Sequence, residues 1–231
     1  MRTILGRQPV TLEAGYILLL PEGAPPEGGW PLLLALHGFG FDGSLLRGRL
    51  RSLLPAPYAV LLPDGPYPVE MRQASPPRVG RSWYQYTGDQ PAFLEALAFT
   101  ISHLDRLLER VAREHPICTE RIAVLGFSQG GYVASFLALR ESARFAGLIT
   151  ISCRIKVEAL QDELPSLSGF PVLVLHGEGD DLVRLEPQLE AVEVLKRHGV
   201  DVELLLHDGG HVLRRDQVGR IDQFTRRVLG V

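Results

Sequence analysis

Several features that would assign a chain of this size to a common functional class are missing from the sequence. No block of basic residues occurs and the net charge is −3, so nucleic acid binding is not expected. No apolar run approaches the ~20 residues of a transmembrane helix, and we expect no stable membrane insertion. The N-terminal residues lack the apolar core of a signal peptide, so the expected compartment is the cytoplasm.

Cysteine is scarce and asparagine is absent. The two cysteines, Cys118 and Cys153, can form one bridge at most, and we expect both to be reduced and buried. The absence of a thermolabile amide, together with 17 prolines, is typical of thermophile proteins, but a GC-rich genome produces a similar bias. The composition therefore leaves thermophily open.

The apolar content is sufficient for one well-filled core. Hydrophobic residues make up 45% of the chain, and we expect a single domain over residues 1–231. Apolar runs that indicate buried strands alternate with amphipathic patterns that indicate helices. The alternation predicts an α/β fold with a mostly parallel sheet of about eight strands and helices on both faces. The predicted strands lie at 2–10, 16–20, 31–37, 58–62, 122–126, 146–152, 171–176 and 201–206, and the predicted helices at 45–54, 91–111, 132–140, 186–198 and 218–228.

The most informative stretch begins at Ile122, where an apolar run leads into the turn Gly126-Phe-Ser-Gln-Gly130 and then into a helical pattern. A G-x-S-x-G turn between a strand and a helix is a nucleophile elbow, which lifts one serine above the sheet. The serine needs a positive φ, and side chains in place of the glycines would collide across the turn. The bare pentapeptide arises by chance in roughly one such chain in eight, so the prediction of Ser128 as a nucleophile depends on its context.

The partners of such a serine come from loops at other strand ends. His211 lies after the last predicted strand and is the expected general base. A carboxylate from loop 176–183 would complete the order Ser…Asp…His. Asp180 and Asp181 both qualify by position, and the spacing favours Asp180 only slightly.

The remaining histidines have other expected roles. His37 and His176 each precede a glycine at a strand end, where hydrogen bonding to the backbone is expected. His207 and His211 have a four-residue spacing that is compatible with zinc. The intervening glycines argue against the helix that such a pair needs, and we expect no metal.

Acyl transfer also needs N–H donors for an oxyanion and a place for the acyl group. The expected donors are the backbone amides of Gln129, next after the serine, and Phe39, in the loop after strand 31–37. Segment 63–90 is predicted as a long loop, and such loops usually have a function. The expected lining of an apolar acyl pocket is Phe39, Phe41, Trp83 and Leu182, although the aromatic side chains fit a core equally well.

Two interpretations from other functional classes compete with acyl transfer. Residues 38–43 read G-x-G-x-x-G between a strand and a helix, and Asp64 follows about twenty residues later, as in a nucleotide-binding oxidoreductase. This interpretation leaves Ser128, Asp180 and His211 without a purpose. A non-catalytic binding protein is the second alternative, and it usually accompanies a damaged triad.

Taken together, these segments resemble the phospholipase/carboxylesterase family of α/β hydrolases, which includes acyl-protein thioesterases and small bacterial esterases. The matching segments are 36–40, 63–66, 80–84, 126–131, 176–180 with Val183, and 209–211. The resemblance implies Ser128 as nucleophile, His211 as base and Asp180 as its orienting acid. It also implies oxyanion donors at Phe39 and Gln129.

The function implied by the resemblance is a serine carboxylesterase with an α/β-hydrolase fold. We expect hydrolysis of small to medium-chain esters through an acyl-enzyme, because no large inserted domain covers the site. A lysophospholipase or an acyl thioesterase on the same triad is the alternative. The expected partner is a small-molecule ester, no cofactor is expected, and the oligomeric state, including a homodimer, stays open.

Overall fold

The computed structural model describes residues 3, 4, 6, 8 and 11–231. The strands are β1 (Tyr16–Leu19), β2 (Trp30–Leu36), β3 (Ala59–Pro63), β4 (Tyr67–Met71), β5 (Arg78–Ser82), β6 (Ile117–Phe127), β7 (Gly147–Ile151), β8 (Pro171–Gly177) and β9 (Asp201–His207). The α-helices are α1 (Gly43–Arg49), α2 (Gln90–Glu114), α3 (Gln129–Arg140), α4 (Leu185–Arg197) and α5 (Val218–Leu229).

Seven strands form the main sheet in the order β1-β3-β2-β6-β7-β8-β9. β1 runs antiparallel to β3, and the other neighbours are parallel. The prediction of a mostly parallel α/β sheet is therefore confirmed, with seven strands in the main sheet of the described chain against about eight predicted. The strand predicted at 2–10 falls largely outside the described residues.

Both faces of the sheet are buried, which explains why its strands are continuous apolar runs. Leu32 and Leu34 of β2 join one core cluster, whereas Leu33 and Ala35 join the other. The first cluster contains residues of α2, α3 and α4, and the second contains residues of α1 and α5. Helices thus cover both faces, as predicted, and the carboxyl ends of the parallel strands share one edge of the sheet.

A hairpin occupies part of segment 63–90, so the prediction of an irregular loop there is wrong. β4 and β5 pair as a separate antiparallel sheet. The N–H of Gly40 donates to the carbonyl of Arg81 at 2.9 Å. The N–H of Arg81 in turn donates to the carbonyl of Phe41 at 2.8 Å. The hairpin therefore fixes the loop that follows β2, which carries Phe39.

The expectation for the two cysteines is confirmed only in part. Both cysteines are free; Cys153 is buried, as expected, and Cys118 is only half-buried. In the described part of the chain, no helix is long and apolar enough to cross a membrane.

Candidate active site

Ser128 lies between β6 and α3 with φ 52° and ψ −120°. This positive φ is the strained backbone expected of a nucleophile elbow. A Cβ on Gly126 would meet the carbonyl oxygen of Gly130, and a Cβ on Gly130 would meet that of Leu36. A Cβ on Gly131 would meet the side chain of Cys153. The glycines therefore allow the strand and the helix to approach closely enough to expose the serine.

We expect Gly126→Ala to lower the free energy of unfolding by about 1–3 kcal/mol or more, because the new methyl group meets backbone atoms that cannot rotate away. The matched control is Gly48→Ala in α1, where a Cβ would meet nothing within 4 Å. Alanine there is expected to be neutral or stabilising by up to about 1 kcal/mol. Urea unfolding monitored by circular dichroism measures both changes, and equal midpoints for the two variants would contradict the steric explanation.

Three side chains from separate loops form one hydrogen-bonded row. The hydroxyl Oγ of Ser128 lies 2.8 Å from Nε2 of His211. Nδ1 of His211 lies 2.9 Å from Oδ2 of Asp180. Because an ionised carboxylate only accepts hydrogen bonds, Nδ1 carries the proton, and Nε2 is left to accept from the serine. The histidine is in the tautomer that a general base requires.

Asp180 is held by its own loop, between β8 and α4. Its Oδ1 accepts the N–H groups of Leu182 at 3.0 Å and Val183 at 2.8 Å. Its side chain is 0% exposed, whereas that of His211 is 14% exposed. Asp181, the alternative left open by spacing, is exposed and is not in the row. The carboxylate of Asp180 is therefore fixed in orientation before any substrate binds.

His176 stabilises the same loop. Its Nε2 donates to the carbonyl of Val183 at 2.8 Å and lies 3.6 Å from Oδ2 of Asp180. The predicted backbone hydrogen bond of this histidine is confirmed. His207 uses Nδ1 to accept the N–H of Gly209 at 3.0 Å. In the described chain, no group of three or more His, Cys, Asp or Glu residues is arranged to hold a metal ion.

Two backbone amides next to Ser128 are available as donors. Gln129 is the first residue of α3, where an N–H has no partner within the helix. The loop containing Phe39 is adjacent, since a Cβ on Gly38 would lie 3.3 Å from Cβ of Ser128. The hydrogen bonds of the described residues include no acceptor for the N–H of Phe39 or of Gln129. Both amides are therefore free to bind an incoming oxygen.

The side chain of Gln129 has a role that the sequence did not reveal. Its Oε1 accepts the N–H of Trp83 at 3.0 Å, and its Nε2 donates to the carbonyl of Tyr84 and to Oγ of Ser82, both at 3.0 Å. These bonds tie the start of α3 to the chain after β5. They hold the amide of Gln129 in place beside Ser128.

Trp83 was predicted to line an acyl pocket, and the structure places it elsewhere. The side chain is 0% exposed and belongs to the core. Its indole N–H donates to the carbonyl of His37 at 2.7 Å, and its ring lies 4.8 Å from that of His37. Trp83 therefore stabilises the loop after β2 from within the core, and its side chain is not accessible to a ligand.

His37 links that loop to its surroundings through the backbone, as predicted. Nδ1 donates to the carbonyl of Gly38 at 2.8 Å, and Nε2 accepts the N–H of Gly65 at 2.9 Å. Burial lowers the pKa of His37 below 6.5, because the charged form would lose its hydration. Protonation would also replace the acceptor at Nε2 with a second donor.

We expect the free energy of unfolding to fall as the pH drops below about 6.5, because the unfolded chain binds a proton at His37 that the folded chain resists. The folded pKa is the lower of the two, so this stability is present above the unfolded pKa and is lost on acidification. Urea unfolding at about pH 7.5 and about pH 5.5 measures the slope. His37→Gln should reduce the slope, with His103 and His207 contributing to what remains, because their pKa values are also lowered by burial. His198→Gln, at an exposed position, should leave the slope unchanged, and equal slopes for the two variants would contradict the assignment.

The G-x-G-x-x-G loop does not offer a phosphate site. Oδ1 of Asp42 accepts the N–H of Leu45 at 2.7 Å, and Oδ1 of Asp64 accepts that of Gly43 at 2.8 Å. Two carboxylates thus occupy the N-terminus of α1, where a pyrophosphate would have to bind. In the nucleotide interpretation Asp64 would bind the ribose. In the structure its carboxylate instead accepts a hydrogen bond from the first residue of α1. The geometry argues against a dinucleotide here.

Two cavities are lined by residues of the row or by residues next to it in sequence. The larger, of about 440 Å³, is lined by Phe39, by Gln129, which follows Ser128, and by six further residues. The smaller, of about 50 Å³, is bordered by His211, Phe41 and Phe127. Phe39 and Phe41 therefore line cavities, whereas Leu182 is 73% exposed and lines neither of these two.

Comparison with known proteins gives a consistent family match. The sequence model of the phospholipase/carboxylesterase family matches residues 26–229. A poly(3-hydroxyoctanoate) depolymerase of Pseudomonas fluorescens is 28% identical over 183 residues, which cover 71% of this chain and 61% of that protein. Acyl-protein thioesterase 1 of Neurospora crassa is 28% identical over 113 residues, 47% of this chain and 46% of that protein. The chain thus aligns with about half to three-fifths of the length of these relatives.

Solved structures show the same fold. The crystal structure of esterase PE8 aligns with a TM-score of 0.74 at 24% identity, covering 95% of this chain and 100% of that one. The Bacillus cereus carboxylesterase aligns with a TM-score of 0.73 at 18% identity, covering 93% and 94%. At these identities the likeness establishes the α/β-hydrolase fold.

Proposed function

We propose that this chain, which belongs to the phospholipase/carboxylesterase family, is a serine hydrolase that cleaves small to medium-chain carboxylic esters through an acyl-enzyme. The proposal includes a single domain over residues 1–231. The observation that carries it is the row of hydrogen bonds from Ser128 Oγ to His211 Nε2 at 2.8 Å and from His211 Nδ1 to Asp180 Oδ2 at 2.9 Å. A hydroxyl, an imidazole and a buried carboxylate in this order are the parts that acyl transfer needs.

In the first step, Oγ of Ser128 bonds to the acyl carbon while its proton moves to Nε2 of His211. The N–H groups of Phe39 and Gln129 bind the oxygen that becomes negative; one such donor typically contributes about 3 kcal/mol to lowering the barrier. The C–O bond to the alcohol then breaks, and His211 gives its proton to the leaving oxygen. Water, deprotonated by His211, then bonds to the acyl carbon of the acyl-enzyme. The bond from that carbon to Oγ breaks, His211 returns the proton to Oγ, and the acid is released.

Asp180 supports both steps without itself taking up a proton. Its carboxylate keeps the Nδ1 proton of His211 in place and stabilises the imidazolium that forms when the serine is deprotonated. The two N–H groups from Leu182 and Val183 keep the carboxylate turned towards the histidine.

A thioesterase or lysophospholipase activity on the same row is the second candidate, and the similarity to an acyl-protein thioesterase is the observation that favours it. The chemistry is the same, since a thiolate leaves in place of an alkoxide. A non-catalytic binding role is disfavoured, because the row, both donors and the adjacent cavities are all intact.

A panel of acyl esters of graded chain length, with matched thioesters, tests the proposal. We expect hydrolysis of the short and medium oxygen esters, and a rate that falls as the chain lengthens beyond the capacity of the larger cavity. The Ser128→Ala protein measures the uncatalysed background. Hydrolysis of every ester at that background rate would contradict the proposed function, and preference for the thioesters would select the second candidate.

A further inference from the structure

We propose that the larger cavity binds a carboxylate at the far end of the acyl chain, so that half-esters of short dicarboxylic acids with small alcohols are preferred substrates. The inference rests on the proposed ester hydrolysis and adds a substrate class to it. The cavity has two cationic side chains in its lining, Arg154 and Lys156, and no carboxylate residue lines it.

Lys156 forms no ion pair within the described chain, and Glu158, which pairs with Arg154, acts on its charge only from a longer distance. Its Nζ lies 4.6 Å from the ring centre of Phe93 and 5.6 Å from that of Tyr86. Its hydrogen bond, of 3.0 Å, is to the neutral Oε1 of Gln90. Partial burial lowers the pKa of Lys156. A lysine held over aromatic rings with donors to spare is well suited to bind an anion.

Arg154 adds a second cation with unused donors. Its Nη2 lies 2.9 Å from Oε1 of Glu158, and its Nε is buried without a hydrogen-bond partner in the described chain. The side chain as a whole is 34% exposed, so its charged group is accessible to a ligand in the cavity that it lines. With Glu158 counted, the two cations leave this end of the cavity with one net positive charge, which favours an anionic ligand.

The walls and the volume restrict the rest of the ligand. The rings of Tyr84, Phe93 and Tyr132 give the cavity a mainly apolar surface that suits methylene groups. A cavity of about 150 Å³ can hold benzene, so 440 Å³ accommodates a chain of several carbons with its terminal carboxylate. The ligand therefore has an anionic end and an apolar middle.

The smaller cavity indicates which half of the ester, the acyl group or the alcohol, binds in which cavity. The leaving oxygen takes its proton from Nε2 of His211, so the alcohol must lie on the side of that histidine. The cavity bordered by His211 has only about 50 Å³, which fits a methyl or ethyl group. The larger half, with its carboxylate, is then the acyl group, and it enters the cavity lined by Phe39 and Gln129.

The test compares monomethyl glutarate with methyl pentanoate, which has the same chain length but no charge, by pH-stat titration of the released acid. We expect kcat/KM to be at least about tenfold higher for the charged ester, the worth of one charge-assisted hydrogen bond. Lys156→Met and Arg154→Gln should each remove most of this preference, and added salt should weaken it.

Matched control variants are available elsewhere in the chain. Lys196→Met removes the only other lysine, which is exposed on α4. Arg110→Gln removes an exposed arginine that pairs with Glu114 four residues later, as Arg154 pairs with Glu158. Both controls should keep the preference for the charged ester.

Each result has a distinct meaning. Equal rates for the two esters, or a preference that survives Lys156→Met and Arg154→Gln, would overturn the inference while ester hydrolysis stands. Faster cleavage of carboxymethyl acetate, which carries its carboxylate on the alcohol, would overturn the acyl placement. Should neither ester be cleaved, the proposed function fails. Isothermal titration calorimetry with glutarate then tests the carboxylate site by itself. We expect glutarate to bind the wild-type protein and Lys156→Met to weaken the affinity about tenfold. Equal affinities for the wild type and Lys156→Met would overturn the inference.

Discussion

Replacing Ser128 by alanine is expected to lower kcat for ester hydrolysis by about 10⁶-fold while the protein stays folded. The change removes one oxygen atom, whose hydrogen bond in the protein is to Nε2 of His211 at 2.8 Å. Alanine keeps the Cβ, so the strained turn at φ 52° is no more crowded than before. The loss should therefore fall on the chemical step, and kcat measured with a saturating short-chain ester detects it.

A control separates this effect from a general effect of serine loss. Ser102→Ala lies at an exposed position on α2, and it should leave kcat and the melting temperature unchanged. The melting temperature of Ser128→Ala should stay within a few degrees of wild type, because a change of about 1 kcal/mol corresponds to roughly 2–4 °C at this size. Ester hydrolysis by Ser128→Ala at the wild-type rate would exclude this serine as the nucleophile.

Asp180→Asn is expected to lower kcat by about 10⁴-fold, because the substitution reverses the direction of one hydrogen bond. Oδ1 of Asp180 accepts the N–H groups of Leu182 and Val183, so the asparagine oxygen must take that position. The amide nitrogen then faces Nδ1 of His211 and donates to it. Because the position of Oδ2 is nearer to Nδ1 of His211 than that of Oδ1, at 2.9 Å against 3.1 Å, this arrangement favours the proton on Nε2, where the histidine can no longer accept one from Ser128.

The neighbouring carboxylate provides the control for charge. Asp181→Asn removes the same negative charge one residue away, at an exposed position outside the row, and should change kcat by less than about twofold. Measuring kcat for both variants at several pH values with one short-chain ester makes the comparison. A larger loss in Asp181→Asn than in Asp180→Asn would show that the carboxylates have been assigned the wrong way round.

The parts of the fold set by local constraints were predictable from the sequence. The elbow is one of them, since Gly126 is required by its contact with Gly130 within the turn itself, although Gly130 is required by the approach of Leu36 from β2. The buried parallel strands are another, because burial on both faces leaves a continuous apolar run such as Leu32–Leu36. The spacing of Asp180 and Asp181 did not choose between them. Their distinction depends on which carboxylate the loop after β8 turns inwards, and that is a property of the folded chain.

Features that depend on contacts between distant segments were missed. The hairpin of β4 and β5 contains Pro68 and exposed residues, and it is fixed by pairing with the loop at Gly40. Because that hairpin was not predicted, the burial of Trp83 could not be predicted either. Arg154 and Lys156 escaped notice for a similar reason, since the aromatic walls beside them come from residues more than twenty positions away in sequence.

The site of covalent modification by a fluorophosphonate tests the central claim most directly, because this reagent reacts with a hydroxyl only when a neighbouring base activates it. Peptide mass spectrometry of the inactivated protein should place one adduct on Ser128. Ser128→Ala should remove the adduct, and Asp180→Asn should slow its formation strongly. An adduct on another residue, or an unmodified Ser128 in protein that has lost its activity to the reagent, would contradict the assignment of Ser128, His211 and Asp180.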